Sequence, residues 1–170
     1  MKKILSLFAA GVLCSCLSCN NPKTSDEKMV GETKDSSMAQ KNLSASHVVI
    51  KAFETGDVSG IDDVIASDFV DHTERGDMGR DSLKAMITAM HATNQDMKAE
   101  VIKELADDEY AMSWMRFKGT SDGSMGMPKG PYDMTSIEVV RFKDGKAVEH
   151  WGFMEPREMM KMMPQAGNKK

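Results

Sequence analysis

Beyond Cys19 the chain has no cysteine, and the three it does have, Cys14, Cys16 and Cys19, are crowded near its start. The body of the protein therefore has no thiols for a disulfide, a Cys-x-x-Cys redox pair or a cysteine metal site. Spacings of the His-x-x-x-His type are missing as well, which leaves zinc little support. Without a Gly-x-Ser-x-Gly elbow, a serine hydrolase is poorly supported. The one glycine-rich stretch, Gly119 to Gly130, joins two predicted strands instead of opening a helix, so phosphate-cradling and dinucleotide patterns fail. No block of Lys and Arg interleaved with aromatics occurs, and aromatic residues make up only 6% of the chain; nucleic acid is not an expected partner. No apolar run approaches the roughly twenty residues of a membrane-spanning helix.

What is present begins with a secretory signal. Lys2 and Lys3 precede an apolar run from Ile4 to Leu13 that ends among small residues and cysteines. The cysteines resemble the lipobox of bacterial lipoproteins, in which a small residue precedes a cysteine that takes up diacylglycerol and becomes the mature N-terminus. Both Cys16 and Cys19 fit. Cys19 is the preferred lipidation site, because processing there removes the other two cysteines and leaves no free thiol in an oxidising compartment. Asn20 follows it, where an aspartate would imply inner-membrane retention. The resemblance thus implies a lipid-anchored protein of the cell envelope, on the outer membrane of a Gram-negative bacterium, held by its N-terminal lipid without spanning.

Residues 1–18 form the signal peptide on this reading, and their loss leaves 20 basic against 26 acidic side chains, a net charge of −6. Residues 19–42 are rich in Lys, Ser, Thr, Asp, Glu and Asn, and cannot bury enough apolar surface to offset their ordering entropy; they read as a flexible tether. Residues 43–163 suit one domain with one core, and residues 164–170 form a polar tail.

Within the domain, Ser44 or Ser46 can cap a first helix with Val48, Val49, Ala52 and Phe53 at helical spacing, ending at Gly56. A short second helix follows Gly60 with Ile61, Val64 and Ile65 on one side, before Ser67 to His72 runs along the rim of a pocket. A third opens at Asp81 or Ser82 and carries Leu83, Met86, Ile87 and Met90 as one stripe. The period then becomes alternating, and four strands are predicted: Met97–Leu105, Ala111–Gly119, Tyr132–Phe142 and Lys146–Phe153. Asp144-Gly145 between the last two is a strong hairpin signal, since both residues accept positive φ. Pro156–Met163 reads as a short C-terminal helix. Helices first and a meander afterwards describe an α+β domain.

The ordered set Asp68-Phe69-Val70-Asp71-His72, Trp114, Gly119-Thr120, Gly123, Gly126-Met127-Pro128, Gly130, Arg141, Asp144-Gly145-Lys146 and Glu149-His150-Trp151-Gly152 resembles the SnoaL-like branch of the NTF2-like superfamily. The resemblance covers nearly all of the domain. It implies a cone, a curved antiparallel sheet wrapped against three N-terminal helices around a central pocket. It also implies a homodimer formed through the outer face of the sheet. The scaffold hosts cyclases, isomerases, hydrolases and plain binding proteins, so it does not name a reaction.

His72 and His150 are the candidate acid/base groups, since imidazole titrates near neutral pH; each equally suits a structural hydrogen-bond role. In SnoaL-like cyclases an aspartate serves as acid/base for an aldol closure, and Glu155 stands where members often show one, with a carboxylate one methylene longer. Trp114, Trp151, Phe69 and Met134 are the candidate ligand-binding residues. Asp71, Asp133 and Glu138 are further carboxylates. Glu138 shares a strand face with Met134, Ser136, Val140 and Phe142, and solvation on an outer face is its expected placement.

Seventeen methionines raise copper(I) as a competing reading, through Met86, Met90 and His91, Met125-Gly126-Met127 and Met159-Met160-Lys161-Met162-Met163. Methionine also fills irregular cores and adaptable walls, so no metal site is assigned and no cofactor is expected. The expected function is a pocket for a small, largely apolar molecule, with cofactor-free cyclase- or isomerase-type chemistry. The alternative is a non-catalytic ligand-binding or accessory lipoprotein.

Overall fold

The structure is a computed structural model and describes residues 37–162. The expected signal segment, Cys19, residues 19–36 of the expected tether and the expected polar tail lie outside the described residues, whereas residues 37–42, also expected in the tether, are helical.

Helix α1 spans Ser37–Thr55 and starts earlier than its sequence signal. Ser44 and Ser46 lie inside it and do not cap it. The extra turns are held by tertiary contacts: Ala39 and Asn42 are buried, and Asn42 Nδ2 donates to the Asp107 carbonyl at 3.0 Å. Gly56 ends the helix at φ +73, and a side chain there would meet the His91 ring at 2.6 Å.

The expected second helix shrinks to one turn, α2 (Ile61–Val64). From Ile65 the chain is extended instead, as β1 (Ile65–Thr73), followed by the short β2 (Gly76–Gly79). Helix α3 (Arg80–Thr93) then precedes β3 (Asn94–Ala106), β4 (Tyr110–Ser121), β5 (Gly130–Lys143) and β6 (Lys146–Met154), and α4 (Pro156–Met162) closes the described chain. The last four strands sit where the alternating pattern places them. Asp144 (φ 52) and Gly145 (φ 77) form the two-residue turn between β5 and β6.

All six strands form one sheet, in the order β2-β1-β6-β5-β4-β3. It is antiparallel except at one seam, where β1 runs parallel to β6. That seam departs from the all-antiparallel expectation, and its cause is long-range: β1 finds its partner about eighty residues downstream, which no local pattern announces. Its register sets Asp71 opposite His150 and His72 opposite Trp151. Helices α1, α2 and α3 cover one face of the sheet. Ile61, Ile65, Phe69, Leu83, Ile87 and Phe142 form the core between them, each large apolar side chain contributing roughly 1.5–3 kcal/mol by burial.

Candidate active site

A cavity of about 360 Å³ lies between the helices and the covered face of the sheet, a volume in the range of small-molecule sites. Its helix side comes from Ser46, Val49 and Phe53 on α1 and from Leu83, Met86 and Met90 on α3. Alternation on the strands supplies the other wall: Ser113, Met115 and Phe117 from β4, and Met134, Ser136 and Glu138 from β5. Met97 and Met154 bring the lining methionines to six. Unbranched thioether side chains give a wall that can re-form around differently shaped ligands and that contacts aromatic rings favourably.

Polar groups gather at one place on the sheet. His150 lies between two carboxylates, its Nδ1–H donating to Asp71 Oδ1 at 2.8 Å and its Nε2–H to Glu138 Oε2 at 2.9 Å. The Ser136 hydroxyl donates to the other Glu138 oxygen. Asp71 is 4% exposed. Two features of the sheet make the chain of bonds. The parallel seam brings Asp71 beside His150, and Gly152, paired with Glu138 across β5 and β6, leaves room for the carboxylate to reach the imidazole. A Cβ at position 152 would sit 3.1 Å from Glu138 Oε2.

Burial alone would lower the His150 pKa, since it disfavours the charged ring. The hydrogen bonds and charges of Asp71 and Glu138 outweigh it and raise the pKa to about 9. At neutral pH the site therefore holds an imidazolium between two carboxylates. Both ring nitrogens are occupied, so the group free to meet a ligand is Glu138, whose oxygens keep further lone pairs. Burial also raises the Tyr132 phenol, another lining group, above its ordinary range.

The sequence profile that matches this chain is described as SnoaL-like polyketide cyclase, and it covers residues 44–165. The chain belongs to the SnoaL-like polyketide cyclase family. Solved structures share its fold at low identity. TsrD from Streptomyces laurentii superposes with a TM-score of 0.64 at 18% identity, covering 72% of this chain and 94% of that one. A SnoaL-like polyketide cyclase from Agrobacterium tumefaciens gives 0.61 at 11%, covering 70% and 94%. An LEH-like epoxide hydrolase from M. tuberculosis gives 0.59 at 12%, covering 73% and 90%. No curated protein matches the sequence. A cyclase and an epoxide hydrolase on one scaffold mean that, within this SnoaL-like protein, the argument for a reaction has to come from the side chains in the cavity.

Of the sequence-predicted site residues, His150, Phe69 and Met134 line the cavity of this SnoaL-like domain. His72, Trp114 and Trp151 are placed elsewhere. They fall one residue out of phase with Asp71, Ser113 and His150, so strand alternation puts them on the opposite face of the sheet. There Trp114 is 46% exposed. His72 stacks on Trp151 with ring centroids 4.9 Å apart, and its Nδ1–H donates to Asp77 at 3.0 Å. Nearby Arg141 bonds Glu149 and holds that carboxyl below its usual range. Glu155 lies past the end of β6, half exposed and bonded to Arg157 at 3.1 Å. Glu138, expected in solvent, faces the cavity, and Asp71 joins it. The strand-face grouping of Glu138 with Met134, Ser136, Val140 and Phe142 carried that signal; the Asp71 contact carried none, because it depends on the β1/β6 seam. Met86 and Met90 line the cavity, while His91 packs beneath Gly56. Among the described residues no group of three or more His, Cys, Asp or Glu is arranged to hold a metal ion.

Proposed function

We propose that this protein is a lipid-anchored envelope protein that binds a small, largely apolar molecule in its cavity and acts on it by cofactor-free proton transfer of the cyclase or isomerase type. The observation that carries the catalytic part is the chain Asp71–His150–Glu138–Ser136, which presents the Glu138 carboxylate to a cavity walled mainly by apolar side chains. Glu138 is the group that takes a proton from carbon alpha to a carbonyl and returns it to the rearranged product. His150 holds Glu138 in place and supplies a positive charge that offsets one of the two negative charges beside it, and Asp71 fixes the orientation of the imidazole. Apolar walls exclude water, which strengthens each of these electrostatic effects.

The anchor is Cys19, and the lipobox and the polar stretch that follows it support placement at the outer membrane of a Gram-negative bacterium. A second copy of the chain is the proposed partner of the outer sheet face. Trp114, Ile137 and Phe153 form one cross-strand row there, each more than 40% exposed, beside a second row of Met112, Val139 and Trp151. An apolar surface of this kind is uncommon on a monomer.

The test begins with the full-length protein purified in detergent from its own host, followed by native mass spectrometry. The expected result is a diacylglycerol mass on a chain starting at Cys19, together with a retained organic molecule. Incubated in D₂O with the wild type, that molecule exchanges a carbon-bound hydrogen for deuterium, and with Glu138→Gln it does not. A retained molecule that never exchanges would transfer the assignment to a non-catalytic binder, a reading favoured by the absence of an unoccupied nitrogen on His150.

A further inference from the structure

A carboxylate base is one half of a proton-transfer site. When a proton leaves the carbon alpha to a carbonyl, negative charge builds on the carbonyl oxygen, and a donor aimed at that oxygen lowers the barrier. The cavity offers few such donors. Among the described residues its lining has no lysine or arginine. Both nitrogens of His150 are bonded to Asp71 and Glu138, and the Ser136 hydroxyl is bonded to Glu138. Tyr132 stands six residues before Glu138 on β5, roughly 20 Å along the strand. Ser46 lines the cavity from α1, but its hydroxyl oxygen is sealed off from it.

Ser113 remains. It lines the cavity from β4 and pairs directly with Glu138 across the β4/β5 ladder, a relation that holds the two Cβ atoms about 4.5–5.5 Å apart on one face. Its hydroxyl makes no hydrogen bond with the described residues, yet it is not one of their sealed, unpaired polar atoms, so it opens onto the cavity. The Glu138 carboxylate leans the other way, over Gly152 to the His150 ring at 2.9 Å on β6. Base and hydroxyl therefore face each other across β5, with a gap set by the strand spacing at roughly 5–8 Å. A carbon held about 3–3.5 Å from the base, with its carbonyl oxygen turned towards β4, bridges that gap and ends within hydrogen-bond reach of Ser113.

We propose that Ser113 is the oxyanion donor of this site. Glu138 takes the proton from carbon, the C–H electron pair becomes the carbon–carbon double bond of the enolate, and the carbonyl π pair moves onto oxygen, to which the Ser113 hydroxyl donates. Ser113 keeps its own proton throughout, and the reverse step returns a proton from Glu138 to carbon. This inference rests on the reading of Glu138 as the base.

The probe is 2-tetralone, an uncharged ketone with acidic C–H groups beside its carbonyl. The full-length protein in detergent is incubated with it in D₂O, and deuterium uptake at those carbons is followed by NMR against the rate in buffer. Exchange is expected with the wild type and not with Glu138→Gln. Ser113→Ala should lower kcat by about ten- to a hundredfold and change KM by less than about threefold, because the lost bond strengthens only as charge develops on the oxygen. Ser113→Thr keeps the hydroxyl and should stay within about fivefold of the wild type. The NMR titration of His150 should be the same in wild type, Ser113→Ala and Ser113→Thr. Exchange by Ser113→Ala as fast as by the wild type overturns the donor and leaves Glu138 as the base. A loss in Ser113→Ala that threonine does not restore, or that comes with a displaced His150 titration, makes Ser113 a packing residue and overturns the donor as well. Wild-type exchange no faster than that of Glu138→Gln overturns the proton-transfer reading together with this one.

Discussion

His150 is the residue on which the chemistry of the cavity turns, because its charge is set by two neighbours instead of by solvent. Its folded pKa is raised to about 9 from an unfolded value near 6.5. The stabilisation is therefore fully present below pH 6.5 and is lost as pH rises through 9. The linkage is on the order of 3 kcal/mol, so thermal unfolding followed from pH 6 to pH 10 should show Tm falling across that window. A His150→Gln variant should show a flatter profile there. Replacing Glu138 by Gln keeps the shape and removes one of the two charges on the ring; an NMR titration of His150 in that variant should give a pKa well below the wild-type value. An unchanged pKa would mean that Asp71 alone holds the proton, and Glu138 would lose its place in the relay.

At the scale of elements, two glycines test how the strands build the site. Gly145 stands at φ +77 with open space around its Cβ position, so Gly145→Ala meets backbone strain alone and should cost about 1–2 kcal/mol of stability, measured by chemical denaturation. Gly152→Ala is different in kind. The new methyl would stand 3.1 Å from Glu138 Oε2, so the carboxylate must retreat by a few tenths of an ångström from an imidazole it now meets at 2.9 Å. The expected outcome is a folded protein with a lower His150 pKa and weaker proton exchange on its ligand. The β1/β6 seam works at this scale too, since slipping β1 by one residue would carry Asp71 to the outer face and bring His72 in.

For the molecule as a whole, the proposed dimer rests on the outer sheet face. The row Trp114–Ile137–Phe153 lies on it, flanked by the Arg116–Asp133 pair at 2.7 Å. A two-fold interface would bury this row against its own copy, as an isologous contact requires. Trp114→Glu should then turn a dimer into a monomer in analytical ultracentrifugation at the same protein concentration, with the cavity and its His150 titration unchanged. A wild type that sediments as a monomer at high micromolar concentration would end the proposal.

Local periodicity alone was enough to predict α3, the four long strands and the Asp144-Gly145 hairpin, because each is written in contacts a few residues apart. The alternation on β5 also set Glu138 on the face of Met134 and Phe142, though not which side of the sheet that face would occupy. The ordered motifs identified the SnoaL-like fold. The tertiary structure decided the rest. A sheet face becomes inside or outside only when helices pack on it, and that packing placed Glu138 in the cavity and Trp114 outside it. The pairing of Asp71 with His150 depends on a parallel seam between strands far apart in the chain, whose register comes from burying Phe69 and Ile65 beneath the helices. Sequence thus determined which elements form and which residues share a face. Only their packing decided which of those residues meet, because contact between distant strands is set by what the core must bury.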